Sequence, residues 1–87
     1  MMTSSIKKSF RSRLAALPPE IRALARKNFR LWLRDPRHPS IHFKPVGRCW
    51  SARVGSDYRA LAIVNGEHAE WFWIGLHDEY ERIIRSL

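Results

Sequence analysis

The sequence predicts an α+β fold: an N-terminal helical hairpin packed on a four-stranded, mainly antiparallel twisted sheet, closed by a short C-terminal helix. Three observations carry that reading. Apolar residues recur at helical spacing as far as Trp32, then alternate from Ile41 onward. Asn65-Gly66 between two apolar runs is a strong hairpin signal. The chain has 87 residues, which suits one domain spanning 1–87, and its 45% apolar content includes four Trp and four Phe. Large side chains matter here, because a small domain must fill its core from few residues.

The elements follow in order. Ile6, Phe10, Leu14 and Leu17 keep helical spacing, with Lys7, Lys8, Arg11 and Arg13 between them, so a helix is expected over Ser5–Leu17. Pro18-Pro19 ends it and opens the next, because a proline in the first turn lacks only an N–H that has no helical partner. Ile21, Leu24, Ala25, Asn28, Leu31 and Trp32 form one stripe of a helix over Pro19–Arg34, stopped by Asp35-Pro36. Ile41 to Lys44 alternates and is followed by Pro45, which marks an edge strand or a strand end. Strands are expected over Arg48–Val54, Tyr58–Val64 and Ala69–Leu76, the first two joined by the turn Gly55-Ser56-Asp57. Tyr80, Ile83, Ile84 and Leu87 mark the last helix.

The three-residue turn fixes a register. Val54 faces Tyr58, Arg53 faces Arg59 and Ala52 faces Ala60. One sheet face then carries Trp50, Ala52, Val54, Tyr58, Ala60, Ala62, Trp71 and Trp73, and is expected to pack on the helical hairpin. The other carries Arg53, Arg59, Leu61, Ile63, Phe72 and Ile74. Like charges directly opposite destabilise a strand pair, so Arg53 against Arg59 suggests an anion between them. The alternative is that both splay into solvent or pair with Glu70 or Asp57. The tryptophans read as core rather than as platforms for stacked bases.

Charge narrows the function classes. Sixteen Lys/Arg against eight Asp/Glu give +8. Residues 1–34 carry nine basic groups against Glu20 alone, whereas residues 65–87 carry two against five acidic. Such a field suits phosphate polymers or an acidic protein partner. The single cysteine, Cys49, excludes an internal disulfide framework. The apolar run Trp71–Leu76 is too short to cross a bilayer, and no signal-like apolar stretch follows the basic start. A cytoplasmic protein without a membrane partner is expected.

Several segments together resemble the RelE/ParE toxin superfamily of bacterial type II toxin–antitoxin systems. They are Leu17-Pro-Pro-Glu-Ile21, Asp35-Pro-Arg-His-Pro-Ser-Ile-His-Phe-Lys44, Trp50-Ser-Ala-Arg-Val-Gly55 with Tyr58-Arg-Ala60, and Trp71-Phe-Trp-Ile-Gly75 with His77 and Glu79-Tyr80. The resemblance implies a RelE-like fold and an antitoxin whose acidic segment wraps the toxin in a hetero-oligomer. For RelE-like members it implies ribosome-dependent cleavage of mRNA by a metal-independent endoribonuclease, which inhibits translation. For ParE-like members it implies inhibition of DNA gyrase without RNA chemistry. A small basic nucleic-acid-binding module is the remaining alternative. Two departures stand out: the family usually opens with a strand, and RelE-like members often carry basic residues where this chain has Leu76-His77-Asp78.

Cleaving RNA through its own 2′-hydroxyl needs a base, cations on the phosphate and an acid for the leaving 5′-oxygen. Arg59 matches the family position in the Tyr-Arg of the central strand, and its planar fork suits a phosphate. Arg53, Lys44 and Arg48 are the accompanying candidates for RNA or phosphate binding. His77, between the last strand and the last helix, is the candidate proton carrier, since a helix N-terminus disfavours the imidazolium. Tyr80 is the third catalytic candidate, although its stripe with Ile83, Ile84 and Leu87 also fits a core residue. Glu79 would orient a cation or lie on the surface. His38, and His42 with Lys44, lack metal-ligand spacing, so neither a metal nor another cofactor is expected. The face bearing Leu61, Ile63, Phe72 and Ile74 is the expected antitoxin surface.

Overall fold

The computed structural model describes residues 2–87. In chain order it has β1 (Thr3–Ile6), α1 (Lys8–Ala15), α2 (Pro19–Arg34), β2 (Lys44–Val46), β3 (Cys49–Val54), β4 (Tyr58–Asn65), β5 (His68–Leu76) and α3 (His77–Arg85). The five strands form one sheet in the order β1-β5-β4-β3-β2. Every neighbouring pair is antiparallel except β1 and β5, which run parallel. The α+β class, the two helices preceding the sheet meander and the closing helix are as the sequence predicts. Among the described residues no helix is long and apolar enough to cross a membrane.

The first difference lies at the start. The helix expected from Ser5 begins at Lys8, and Thr3–Ile6 is instead a fifth strand. Ile6 continues the helical spacing of Phe10 and Leu14, which hides the boundary. The strand forms because its hydroxyls have a distant partner: Thr3 Oγ1 and Ser5 Oγ lie 2.8 and 3.0 Å from the two ring nitrogens of His68. The Lys7 amide then donates to the Trp71 carbonyl at 2.8 Å, and the chain turns into α1.

The second difference is β2. The strand expected over Ile41–Lys44 occupies Lys44–Val46. Ile41 is only 1% exposed and sits in the core, where its carbonyl accepts the Arg53 amide at 2.7 Å. His42 then turns through a left-handed φ of 49°, which breaks the alternation. Pro45 is tolerated inside β2 because β2 is the sheet edge.

The sheet buries both faces. On the hairpin side, Ala52, Val54, Ala60, Ala62, Ala69, Trp71 and Ile74 meet Trp32 and Ile41, with Phe10, Leu14 and Leu24 packed around them. Trp32 stands edge-on to Trp71 at 5.3 Å and to Phe43 at 5.4 Å, a favoured geometry for ring quadrupoles. On the opposite side, Cys49, Leu61 and Trp73 pack against Tyr80, Ile83, Ile84 and Phe72. Burial raises the Cys49 thiol above its usual pKa.

The turn Gly55–Asp57 gives the predicted register, with Arg53 opposite Arg59. The hairpin to β5 does not keep the predicted faces throughout. Ala62 pairs with Trp71 but Leu61 pairs with Trp73, so the ladder shifts by one residue at Phe72. This bulge reverses the face of everything after it. Trp73, expected under the helical hairpin, lies under α3, and Ile74, expected on the other face, lies under the hairpin. The expected antitoxin face is therefore corrected too. Leu61 is fully covered by the protein's own α3, Ile74 is on the other side, and only Ile63 remains open at 40% exposure.

The bulge explains Gly75. The Trp73 ring lies over it, and a Cβ there would stand 2.6 Å from Trp73 Cζ2 and 3.3 Å from Glu79 Oε1. The ring cannot swing away freely, because the Arg13 guanidinium caps it at 5.3 Å while reaching Glu79 at 4.0 Å. Gly75→Ala is expected to destabilise the fold by about 1–3 kcal/mol, the usual cost of overpacking. Thermal unfolding should show a loss of roughly 4–8 °C per kcal/mol. Adding Trp73→Leu should make the double variant less costly than the sum of the singles.

Candidate functional site

On the α3 side of the sheet, Tyr80 and Ile84 border a cleft of about 260 Å³. Its floor is Ser51, Arg53 and Arg59, one edge is His42, Lys44 and Val46, and the other is His77 with Glu81. Five of the six residues singled out from the sequence therefore line one cleft: Lys44, Arg53, Arg59, His77 and Tyr80. Arg48 does not, because it is exposed in the turn after Gly47, away from the cleft lining. Glu79 also faces elsewhere, toward Arg13 and Gly75. The cleft contains two groups the sequence reading did not select, His42 and Glu81. The spacing of Glu81 four residues after His77 was a usable signal; the turn that places His42 was not.

The electrostatics of the floor are unusual. Among the described residues neither Arg53 nor Arg59 has a carboxylate within 4 Å. Arg59 Nη1 instead donates to the carbonyls of Tyr58 at 2.7 Å and Ser56 at 3.3 Å. Burial, and then the charge of Arg53, lower the Arg59 pKa from the usual arginine value, while Tyr80, Asp57 and Glu81 act in the opposite direction. The guanidinium stays cationic at neutral pH. Two cations thus sit side by side with most of their donors unused, and Lys44 adds a third at the edge.

His77 is fixed from both ends. Its amide donates to the Asp57 carbonyl at 2.8 Å, which ties the first residue of α3 to the turn beside Arg59. Its Nε2 lies 3.2 Å from Glu81 Oε1. With Nε2–H donated to the carboxylate, the Nδ1 lone pair is the one free to accept a proton. The Tyr80 ring centroid is 5.8 Å from that of His77. Tyr80 is 5% exposed and packs with Leu61 and Trp73, so it serves the core while lining the cleft. Among the described residues no group of three His, Cys, Asp or Glu is placed to hold a metal ion.

Comparison with known proteins brings in only structures. No protein-family model and no curated sequence matches the chain. A chain of the RelBE2 toxin–antitoxin complex from Mycobacterium tuberculosis superposes with a TM-score of 0.71 at 23% identity, covering 87% of this chain and 98% of that one. The RelB–RelE antitoxin–toxin complex from Methanococcus jannaschii gives 0.70 at 17% identity, with 90% and 95% covered. The isolated RelE toxin from E. coli gives 0.65 at 17% identity over 100% of both chains. The fold of this chain is that of the RelE toxins.

The paired arginines yield a prediction that is independent of any reaction. At low salt without added anion, Arg53→Gln should raise stability by roughly 0.2–1 kcal/mol, because it removes a like-charge pair. Inorganic phosphate should raise the melting temperature of the unaltered protein, since a ligand bound only to the folded state stabilises it. That increment should shrink in Arg53→Gln and in Arg59→Gln, as read by thermal unfolding across a phosphate titration.

Proposed function

We propose that this chain is the toxin of a toxin–antitoxin pair and works in the cytoplasm as a RelE-like endoribonuclease that cuts mRNA on the ribosome. The observation that carries this reading is the convergence of Arg53, Arg59, His77 and Tyr80 on one cleft of a RelE-type fold. A DNA gyrase binder needs no such convergence of cations and proton carriers. Arg53 and Arg59 hold the scissile phosphate and stabilise the charge that grows on it. Lys44 extends the cationic track along the RNA backbone. His77, oriented by Glu81, takes the 2′-hydroxyl proton, and Tyr80 supports the imidazole through its ring. No step is routed through a metal.

The partner of this reading is an antitoxin with an acidic, partly apolar segment. The solved RelB–RelE complex supports an antitoxin as the partner for a chain of this fold; the acidic character of its segment is inferred from the basic charge of this chain. Its surface is drawn to the hairpin rather than to the α3 face. Phe29 and Leu33 stand out from α2 at 36% and 39% exposure, on a helix bearing Arg22, Arg26, Lys27, Arg30 and Arg34. An apolar cavity of about 260 Å³ opens beside Phe29 between the hairpin and the sheet.

Two measurements test these proposals. His77→Ala should keep its fold and its antitoxin binding but lose about 10²–10⁴-fold in RNA cleavage, the usual contribution of one acid–base residue. Tyr80→Phe should retain most of the activity, because the ring remains. Mapping mRNA 5′-ends after induced expression reads both; toxicity without cut RNA in either variant or in the unaltered protein would move the gyrase reading ahead. Antitoxin binding should weaken between about 0.1 and 1 M salt, as the screening length falls from roughly 10 to 3 Å. Most of that change should appear in the association rate.

A further inference from the structure

We propose that His42 is the second proton carrier of the cleft, the general acid that protonates the leaving 5′-oxygen while His77 accepts the 2′-hydroxyl proton. The proposal rests on the RNA-cleaving reading above and deepens it.

Three independent observations lead to His42. It is the only non-glycine residue with a positive φ among the described residues. Strained backbone of this kind gathers at functional sites. The residues on either side are pinned: Ile41 is in the core and bonded to β3, and the Phe43 ring packs 4.7 Å from Trp50 and 5.4 Å from Trp32. With both neighbours held on the hairpin side, the left-handed turn sends the His42 side chain to the opposite side, where it lines the cleft with Lys44, Arg53 and Arg59. Finally, the other three imidazoles are engaged. His38 bonds Ser40, His68 bonds Thr3 and Ser5, and His77 bonds Glu81. Of the four imidazoles, among the described residues, His42 alone has no hydrogen-bond or ion-pair partner, so its ring nitrogens are open to a substrate atom.

The order across the sheet fits a relay. His42 lies beside β3, Arg53 is on β3, Arg59 on β4, and His77 follows β5, so the two arginines fall between the two histidines. The RNA 2′-oxygen attacks phosphorus and gives its proton to His77. The P–O5′ bond breaks with its electron pair on O5′, and that oxygen takes the proton from the His42 imidazolium. The products are a 2′,3′-cyclic phosphate and a 5′-hydroxyl, with nothing oxidised or reduced. Exchange with water resets both rings.

The test uses two RNAs on programmed ribosomes, one natural and one with sulfur replacing the bridging 5′-oxygen at the scissile linkage. A thiolate leaves without a proton, so it needs no general acid. His42→Asn and His42→Gly both accept a left-handed φ and keep the turn. Each should cut the natural RNA about 10²–10⁴-fold more slowly than the unaltered protein. Each should cut the sulfur-substituted RNA at nearly the unaltered rate, whereas His77→Asn should remain slow on both. His42 variants that cut natural RNA normally, or that are equally slow on both RNAs, overturn the assignment. An unaltered protein that cuts neither RNA overturns the nuclease reading itself, and this one with it.

Discussion

The structure turns on one extra residue in β5. The bulge at Phe72 lets Trp71 and Trp73, two positions apart, point to opposite faces of the sheet. Without it both rings would press into the hairpin side, already occupied by Trp32, Phe43 and Trp50. α3 would then have no large side chain to pack on. With it, each face receives one tryptophan: Trp71 against α1 and α2, Trp73 against Tyr80 of α3. A sheet with a single apolar face cannot hold a helix on its other side. The bulge is thus what docks α3, and docking α3 is what creates the wall of the cleft.

The cleft follows from where α3 stops covering. A helix of nine residues is about 13–14 Å long at 1.5 Å per residue, less than the width of a five-stranded sheet. Its apolar stripe, Tyr80, Ile83 and Ile84, covers the Leu61 and Trp73 region. Arg53 and Arg59 lie beside it, in the cleft that its His77, Tyr80, Glu81 and Ile84 line. Their opposition in the strand register costs stability in the free protein, and the sheet core tolerates it.

Much of this was legible in the sequence, and the reasons for success and failure are physical. α2 matched its predicted bounds, because Pro18-Pro19 and Asp35-Pro36 punctuate it from both sides. The β3–β4 register was legible because a three-residue loop leaves a single pairing, which put Arg53 opposite Arg59. That register places Arg53 and Arg59 together in the cleft, which His77 and Tyr80 reach from the β5–α3 junction. Trp73 and Ile74 were misplaced because a bulge leaves no mark in a run of apolar residues; Trp71-Phe-Trp-Ile reads the same with or without it. β1 was missed because Thr-Ser-Ser-Ile has no alternation of its own and depends on His68, sixty-odd positions later. His42 was passed over because the backbone turn that aims it is set by contacts of Ile41 and Phe43 on the other side of the sheet.

β1 has a further consequence. β5, His68 to Leu76, is the longest and among the most apolar of the strands, and it holds three consecutive aromatic rings. Its outer edge would otherwise be a row of free amides and carbonyls beside those rings, a template for strand addition from another molecule. Thr3–Ile6 occupies that edge, and being short and polar it offers little for a further strand to follow. The four residues least recognisable as a strand are therefore the guard that keeps one copy of this sheet from extending into the next.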